Sequence, residues 1–357
     1  GYTSESFEEG TVGLDMTLSL FEGFSRINQV RFRKMNKERS EWELKEKQNE
    51  LAYQVTDAYY KLILERKLLD LALEQSRLSE RYLKQTEVFV ELGLKSASDL
   101  QEVKARREGD IYRYQSRENS SRIALLHLKQ LMNIQPGDTL AILDTITASQ
   151  LPPYSVSTVE TLYAQSIEIL PSIRMIDLKQ KAAHKEYAIA GGAFSPSVFA
   201  RFTVGSNYYN TAFSARQLRD NIGKYVGVGI SFPLLSGLQR LTNQRKLKLN
   251  MYRLKNEEEL EKQQLYTDIE QTLLSLHTGY SEHQQALSQL DAETLVLKES
   301  ERKWEEGLIS VFQLMEARNR FISSKAELAR VRLQVDMTLK METYYRTGSF
   351  CTLPGEE

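Results

Sequence analysis

Proline is nearly absent from this 357-residue chain, which carries seven, at positions 136, 152, 153, 171, 196, 233 and 354. Residues 1–135 and 234–353 have none, so neither stretch contains the side chain that removes a helical hydrogen bond and clashes with the preceding turn, and very long helices are permitted in both. Cysteine is rarer still. Cys351 stands alone, which excludes an intrachain disulfide and reads as an incidental thiol near the chain end. No run of about 18 apolar residues occurs, which excludes a membrane-spanning helix, and the mean hydropathy is negative at -0.45. If the chain crosses a bilayer it must do so with strands, the other fold that satisfies every backbone group without water. The opening residues, Gly-Tyr-Thr-Ser-Glu, have neither a basic nor an apolar leader segment, so the chain is expected to be cytosolic or already processed. An excess of charge of either sign is also lacking. The 47 basic and 48 acidic residues leave a net charge of -1, which gives nucleic acid no reason to bind. The four histidines, His127, His184, His277 and His283, fall on helical stretches without an HExxH pattern or cysteine partners. No glycine loop able to cradle a phosphate is present, and the eight methionines are scattered as core filler. No metal, cofactor or catalytic residue is therefore expected, and the chain reads as a protein that is not an enzyme.

What the chain does have is a repeat. Residues 12–36 align with residues 226–250 at identities Val12/Val226, Gly13/Gly227, Leu20/Leu234, Gly23/Gly237, Arg26/Arg240, Arg31/Arg245, Lys34/Lys248 and Asn36/Asn250, all 214 positions apart. A second landmark has the same offset: Gly93-Leu94-Lys95-Ser96 before Asp99-Leu100-Gln101-Glu102, and Gly307-Leu308-Ile309-Ser310 before Gln313-Leu314-Met315-Glu316. The spacing between landmarks is thus fixed, as a helical rod requires, because one inserted residue would turn every later side chain by about 100°.

Between Gly23 and Gly93 there is neither glycine nor proline, and between Gly237 and Gly307 only Gly279 interrupts a composition rich in Leu, Glu, Lys and Gln. Both segments are predicted to be helices of about 70 residues, roughly 105 Å long. Apolar residues recur at Leu51, Val55, Ala58, Leu62, Leu69 and Ala72, at Ile269, Leu273, Leu276, Tyr280, Leu287 and Leu290, and at Leu314, Phe321, Leu328 and Val335, spacings that belong to coiled coils. Each half is therefore a long helical hairpin turning at Gly-Leu-x-Ser, the second ending at a Gly348 cap. The segments ahead of the hairpins alternate with period two. Val12, Leu14, Met16, Leu18 and Leu20 oppose Gly13, Asp15, Thr17 and Ser19; Val226, Val228, Ile230, Phe232 and Leu234 oppose Gly227, Gly229, Ser231 and Pro233. A third strand is predicted at 198–206. One apolar and one small or polar face suits either a membrane barrel with a wet lumen or a soluble sheet with one buried face. Tyr208, Tyr209 and Tyr225 are placed where a barrel's aromatic girdle would sit. The middle of the chain, 136–170, reads as a connector with a short helix near 159–169, and a further helix opens at Pro171 and ends at Gly191-Gly192.

The order of these features resembles the TolC family of bacterial outer-membrane efflux proteins. The resemblance rests on Pro171-Ser172-Ile173-Arg174 opening a helix that ends in Ala190-Gly191-Gly192-Ala193-Phe194-Ser195-Pro196-Ser197, on the Phe232-Pro233-Leu234-Leu235-Ser236-Gly237 strand-to-helix transition, and on the two Gly-Leu-x-Ser turns. It implies a mainly α fold with β: coiled-coil hairpins forming an α-barrel, joined to strands of a transmembrane β-barrel, in two tandem repeats. The family's members are homotrimers whose protomers each give four strands to a shared twelve-stranded barrel. The helix and strand at 171–206 have no counterpart in the first half, so this reading expects about 45 residues ahead of Gly1 and counts three strands in the chain itself. The implied layout is a strand at 1–22, a first tunnel hairpin at 23–137, an equatorial connector at 138–170, a helix at 171–190, a strand pair at 191–236, a second hairpin at 237–348 and a tail at 349–357. By the same resemblance Gly93, Leu94, Ser96, Gly307, Leu308 and Ser310 meet a periplasmic membrane-fusion adaptor that links the channel to an inner-membrane pump. Asp99, Glu102, Gln313 and Glu316 stand where the family's closed aperture lies. The function implied is a passive outer-membrane conduit in contact with outer-membrane lipid and extending into the periplasm. A coiled-coil scaffold outside any membrane would account for the hairpins alone.

Overall fold

The computed structural model describes residues 8–135, 137–142, 151–152, 157–210, 215–234 and 238–350. Pro136, Pro153, Gly237, Cys351 and Pro354 lie outside that set, as do the first seven residues and the side chain of Tyr208. In chain order the elements are β1 (Glu8–Glu22), α1 (Ser25–Glu91), α2 (Ala97–Leu131), α3 (Val159–Ile169), α4 (Pro171–Gly192), β2 (Ser197–Asn210), α5 (Ala215–Asp220), β3 (Gly223–Ser231), α6 (Gln239–Glu305) and α7 (Val311–Thr347). The two long helices α1 and α6 have 67 residues each. Their equal length follows from the fixed spacing of the landmarks and from residues that seldom leave the helical state. Two compact units are distinguished, one holding 1–43 with 172–261 and the other 44–171 with 262–357.

In the first unit β1, β2 and β3 form an antiparallel sheet in that order. Leu14 is registered with Val204, Met16 with Phe202 and Leu18 with Ala200, and Phe202 in turn with Val226 and Ala200 with Val228, so one face is apolar across all three strands. That face is bare, with Leu14 63% and Val226 74% exposed. The opposite face carries Asp15 beside Thr203 and Thr17 beside Arg201. A register shift between Ser19 and Phe21 makes Leu20 a bulge, which returns Phe21 to the apolar face opposite Val198. The girdle expectation needs correction. Thr203 is registered with Tyr225, and Glu9 with Tyr209, so both tyrosines belong to the polar face and neither points with the valines and leucines.

The strand-to-helix junction explains the Gly23 position and the Arg26/Arg240 identity. Gly23 has φ +57°, and a Cβ there would lie 2.5 Å from the Gly192 carbonyl, so the end of β1 passes the end of α4 only because both residues are glycine. Ser25 Oγ donates to the Ile189 carbonyl at 3.1 Å, Arg26 Nη1 to the Ser19 carbonyl at 3.0 Å, and Arg240 Nη1 to the Ala193 carbonyl at 2.8 Å. The repeated arginine therefore does one job twice, satisfying a carbonyl where a strand or helix ends.

Buried side chains occur in both units, and three hydrophobic clusters lie in the second. Ala58, Leu62 and Leu128 join α1 to α2; Leu276, Val331 and Val335 join α6 to α7; and Val103, Leu297, Trp304, Val311, Leu314 and Met315 bring α2, α6 and α7 together. Burying each such leucine contributes about 1.5–3 kcal/mol. The heptad stripe holds over most of its length, although Leu51 is exposed. Gly279, the one glycine in α6, has a packing reason: a Cβ there would meet Val335 Cγ2 of α7 at 2.8 Å. The connector helix α3 is pinned to the end of α7 by Ser166 Oγ, which donates to the Tyr345 carbonyl at 2.7 Å. Beyond α7, Asn49 Nδ2 donates to the Gly348 carbonyl at 3.1 Å, and Gly348 caps the helix at φ +72°.

Candidate functional site at the hairpin tips

Gly-Leu-x-Ser proves to be a helix stop followed at once by a helix start. At the first tip Gly93 N–H donates to the Val90 carbonyl at 3.0 Å and Leu94 N–H to the Phe89 carbonyl at 2.8 Å; at the second, Gly307 N–H donates to Trp304 at 3.0 Å and Leu308 N–H to Lys303 at 2.8 Å. This pair of bonds is the Schellman C-cap, with the glycine left-handed at φ +74° and +73°. Two residues after each leucine, Ser96 and Ser310 open the next helix through capping boxes. Ser96 Oγ accepts from Asp99 N–H at 3.1 Å while Asp99 Oδ2 accepts from Ser96 N–H at 3.0 Å. Ser310 Oγ accepts from Gln313 N–H at 3.2 Å and Gln313 Oε1 accepts from Ser310 N–H at 3.0 Å. The backbone N–H and hydroxyl of Ser96 hold the Asp99 carboxyl below its usual range. Asp99 and Gln313 are thus one structural position filled by the two residue types that can make that reciprocal bond.

The leucines are what the turns leave over. In a Schellman cap the residue after the glycine commonly packs back on its own helix. Here Leu94 is 66% and Leu308 68% exposed, one apolar side chain held out at each tip on a rigid corner.

Glu102 and Glu316, equivalent in the two repeats, line one cleft of about 440 Å³ between α2 and α7 with Arg106, Gly109, Phe312 and Asn319. Glu316 Oε1 accepts from Arg320 Nη1 at 3.2 Å. Behind the tips, a cluster absent from any sequence motif ties the hairpins together. Arg318 of α7, nearly buried, donates from Nη1 to Tyr82 Oη of α1 at 2.7 Å and lies 3.8 Å from Glu301 of α6. The Tyr82 ring packs edge-on against Trp304 at 5.2 Å, and burial raises its phenol above the ordinary range. Further along, Asp110 of α2 is fully buried and accepts from Ser79 Oγ at 2.6 Å and Gln75 Nε2 at 3.3 Å, both on α1. Neither Arg318 nor Asp110 could be found from spacing, since a charged residue on a helix reads as solvated until its neighbours are known.

A family profile described as outer membrane efflux protein matches residues 1–133 and 162–340. The chain belongs to that family. Its members are outer-membrane channel proteins, and this one is an outer-membrane efflux channel protein that extends into the periplasm. A comparison of the sequence with curated proteins returns no match. Solved structures show the same TolC-like fold. The CmeC outer membrane channel of Campylobacter jejuni superposes with a TM-score of 0.78 at 12% identity, covering 99% of this chain and 79% of that one. VceC of Vibrio cholerae gives 0.77 at 14% identity, covering 97% and 88%. The open state of the MtrE channel of Neisseria gonorrhoeae gives 0.76 at 16% identity, covering 97% and 81%. No helix among the described residues is long and apolar enough to cross a membrane.

Proposed function

We propose that the chain is the protomer of a passive trimeric conduit in a tripartite efflux or secretion machine. Its strands contribute to a barrel in outer-membrane lipid, and 23–137 and 237–348 form the two hairpins of a periplasmic tunnel. Residues 138–170 serve as the equatorial connector. The tips Gly93, Leu94, Ser96, Gly307, Leu308 and Ser310 receive a membrane-fusion adaptor, through which an inner-membrane pump supplies the energy. The observation that carries this reading is the pair of exposed leucines on identical, fully capped turns: glycine and serine fix the corner, and the corner serves to present an apolar group.

Gating belongs to the same end of the molecule. The Arg318–Tyr82–Trp304 cluster holds α1 against α6 and α7, and Glu102 and Glu316 bring carboxylates to the aperture beside it. Asp99 and Gln313 set the corner's geometry through their capping bonds and reach the aperture only as part of that corner. The test is Leu94→Asp with Leu308→Asp. Because both side chains are exposed, folding and detergent-extracted mass should be unchanged, while export and cross-linking to the adaptor fall to background. Normal export in that variant would remove adaptor docking from the tips.

A further inference from the structure

We infer that Gly227 and Gly229 are bore-setting positions: they are slots in the wet face of the sheet that seat the rings of Tyr225 and Phe199 flat against the backbone and out of the lumen. The inference rests on the conduit reading, which makes the polar face of β1–β3 the lumen side.

Glycine weakens a strand, because it adds unfolded-state entropy and offers no side chain to pack. β3 nonetheless carries three on the same face, Gly223, Gly227 and Gly229, and the last two, at alternate positions, each lie under an aromatic ring. A Cβ built at Gly227 would come within 2.7 Å of Tyr225 Cζ and nearer still to its hydroxyl. A Cβ at Gly229 would come within 2.5 Å of Phe199 Cζ. Two routes lead to these seats. Phe199 is registered directly opposite Gly229 on the neighbouring strand, whereas Tyr225 folds along its own strand onto the residue two places on. Nearer the middle of the sheet other positions on that face are small as well, although Tyr209 towards its end stands 61% exposed. Gly13, Gly205 and Gly223 fall in one row across the three strands, and the charged pair lies down on the sheet, with Asp15 Oδ1 accepting from Thr203 Oγ1 at 2.6 Å and from Arg201 Nη2 at 3.4 Å. Nothing about holding a sheet together demands so flat a profile on its solvated side, but a duct that passes bulky cargo does.

The atoms that a new methyl would strike are the far ends of the two rings and not backbone. A side chain can swing about χ1 where backbone cannot, so filling a slot should lift the ring away from the strand, into the lumen, while leaving the ladder intact. Removing the ring as well should make the methyl harmless.

The experiment uses the full-length protein in planar bilayers, with polyethylene glycols of graded size added from the barrel side, so that the size excluded reports the barrel mouth independently of the tip. The double variant Gly227→Ala/Gly229→Ala is expected to lower the mass of the largest polymer admitted by about twofold, since rings from every protomer would narrow one level of the pore. Adding Tyr225→Ala and Phe199→Ala to that variant should restore the wild-type limit. Assembly is read first on both. A defect in the double variant that the quadruple variant repairs also upholds the seating of rings on glycine, whereas a defect in both overturns it. An unchanged limit in the double variant, or a lowered limit that the quadruple variant fails to restore, overturns the inference while the conduit stands. A wild-type protein that opens no channel would sink the conduit reading and this inference with it.

Discussion

His283 is 2% exposed, and its Nδ1 has no hydrogen-bond partner among the described residues. Burial first, and the guanidinium of Arg332 second, hold its imidazole below the ordinary 6.5. Arg332 has one nearby carboxylate, Asp336 at 3.4 Å, whose own acidity is weakened by burial. Beside them Tyr60 is pushed up to about 12 by burial and by Asp336. The sign for His283 follows from linkage. The unfolded chain takes up a proton near 6.5 and the folded chain only at lower pH, so the stability contributed by the neutral imidazole is complete above that value and is lost as pH falls below it. The melting temperature of the wild type should therefore drop between pH 7.5 and 5.5, and His283→Leu should remove part of that drop. An identical pH profile in the variant would show that His283 is not the group responsible. Asp336 acts in the opposite direction, because a raised carboxyl favours the fold once protonated, and its contribution is common to the wild type and the variant. At this scale the sequence spoke where the code is local and was silent where it is not. The turn at Gly93 is legible in the sequence, and the capping bonds between Ser96 and Asp99, residues that the family resemblance assigns to adaptor contact and aperture, join positions only three apart. His283, Asp110 and Arg318 owe their roles to other helices, and helical spacing alone assigns such residues to solvent.

Among the elements, the tip turns are a matched pair whose stability is separable from the rods they join. Ser96→Ala or Ser310→Ala removes one side-chain acceptor and the hydrogen bond to the third residue of the helix, which should cost about 1 kcal/mol. Most of that cost should be local, appearing as faster amide exchange at residues 97–100 or 311–314 with little change in the rest of the coiled coil. Uniform acceleration along α2 or α7 would show that the cap nucleates the whole helix instead. The long helices were legible because a 3.5-residue apolar period without proline has few other readings, and the strands because alternation with period two is equally restrictive. The six-residue α5 gave no such signal. The girdle was misplaced although its correction was present in the alternation itself: if Val226 and Val228 face lipid, Tyr225 between Lys224 and Val226 must face the other way.

For the molecule as a whole, the 214-residue offset was the most informative quantity in the sequence, since it fixed two rods of equal length before any helix was seen. Oligomeric state was not legible in the same manner, because a face that meets a neighbour and a face that meets lipid are both apolar. Light scattering of the full-length protein in detergent should give three times the protomer mass, and a monomer stable on dilution would contradict the shared barrel. Among the described residues β1 and β3 are the margins of the sheet, fifteen and nine residues long, and each has one side of its backbone unpaired. Strands so exposed, backed by bare valine and leucine, recruit any other strand they meet. In the trimer proposed above, a protomer is therefore open to mispairing along β1 and β3 until its neighbours arrive, and its overproduction is expected to yield aggregate ahead of assembled channel.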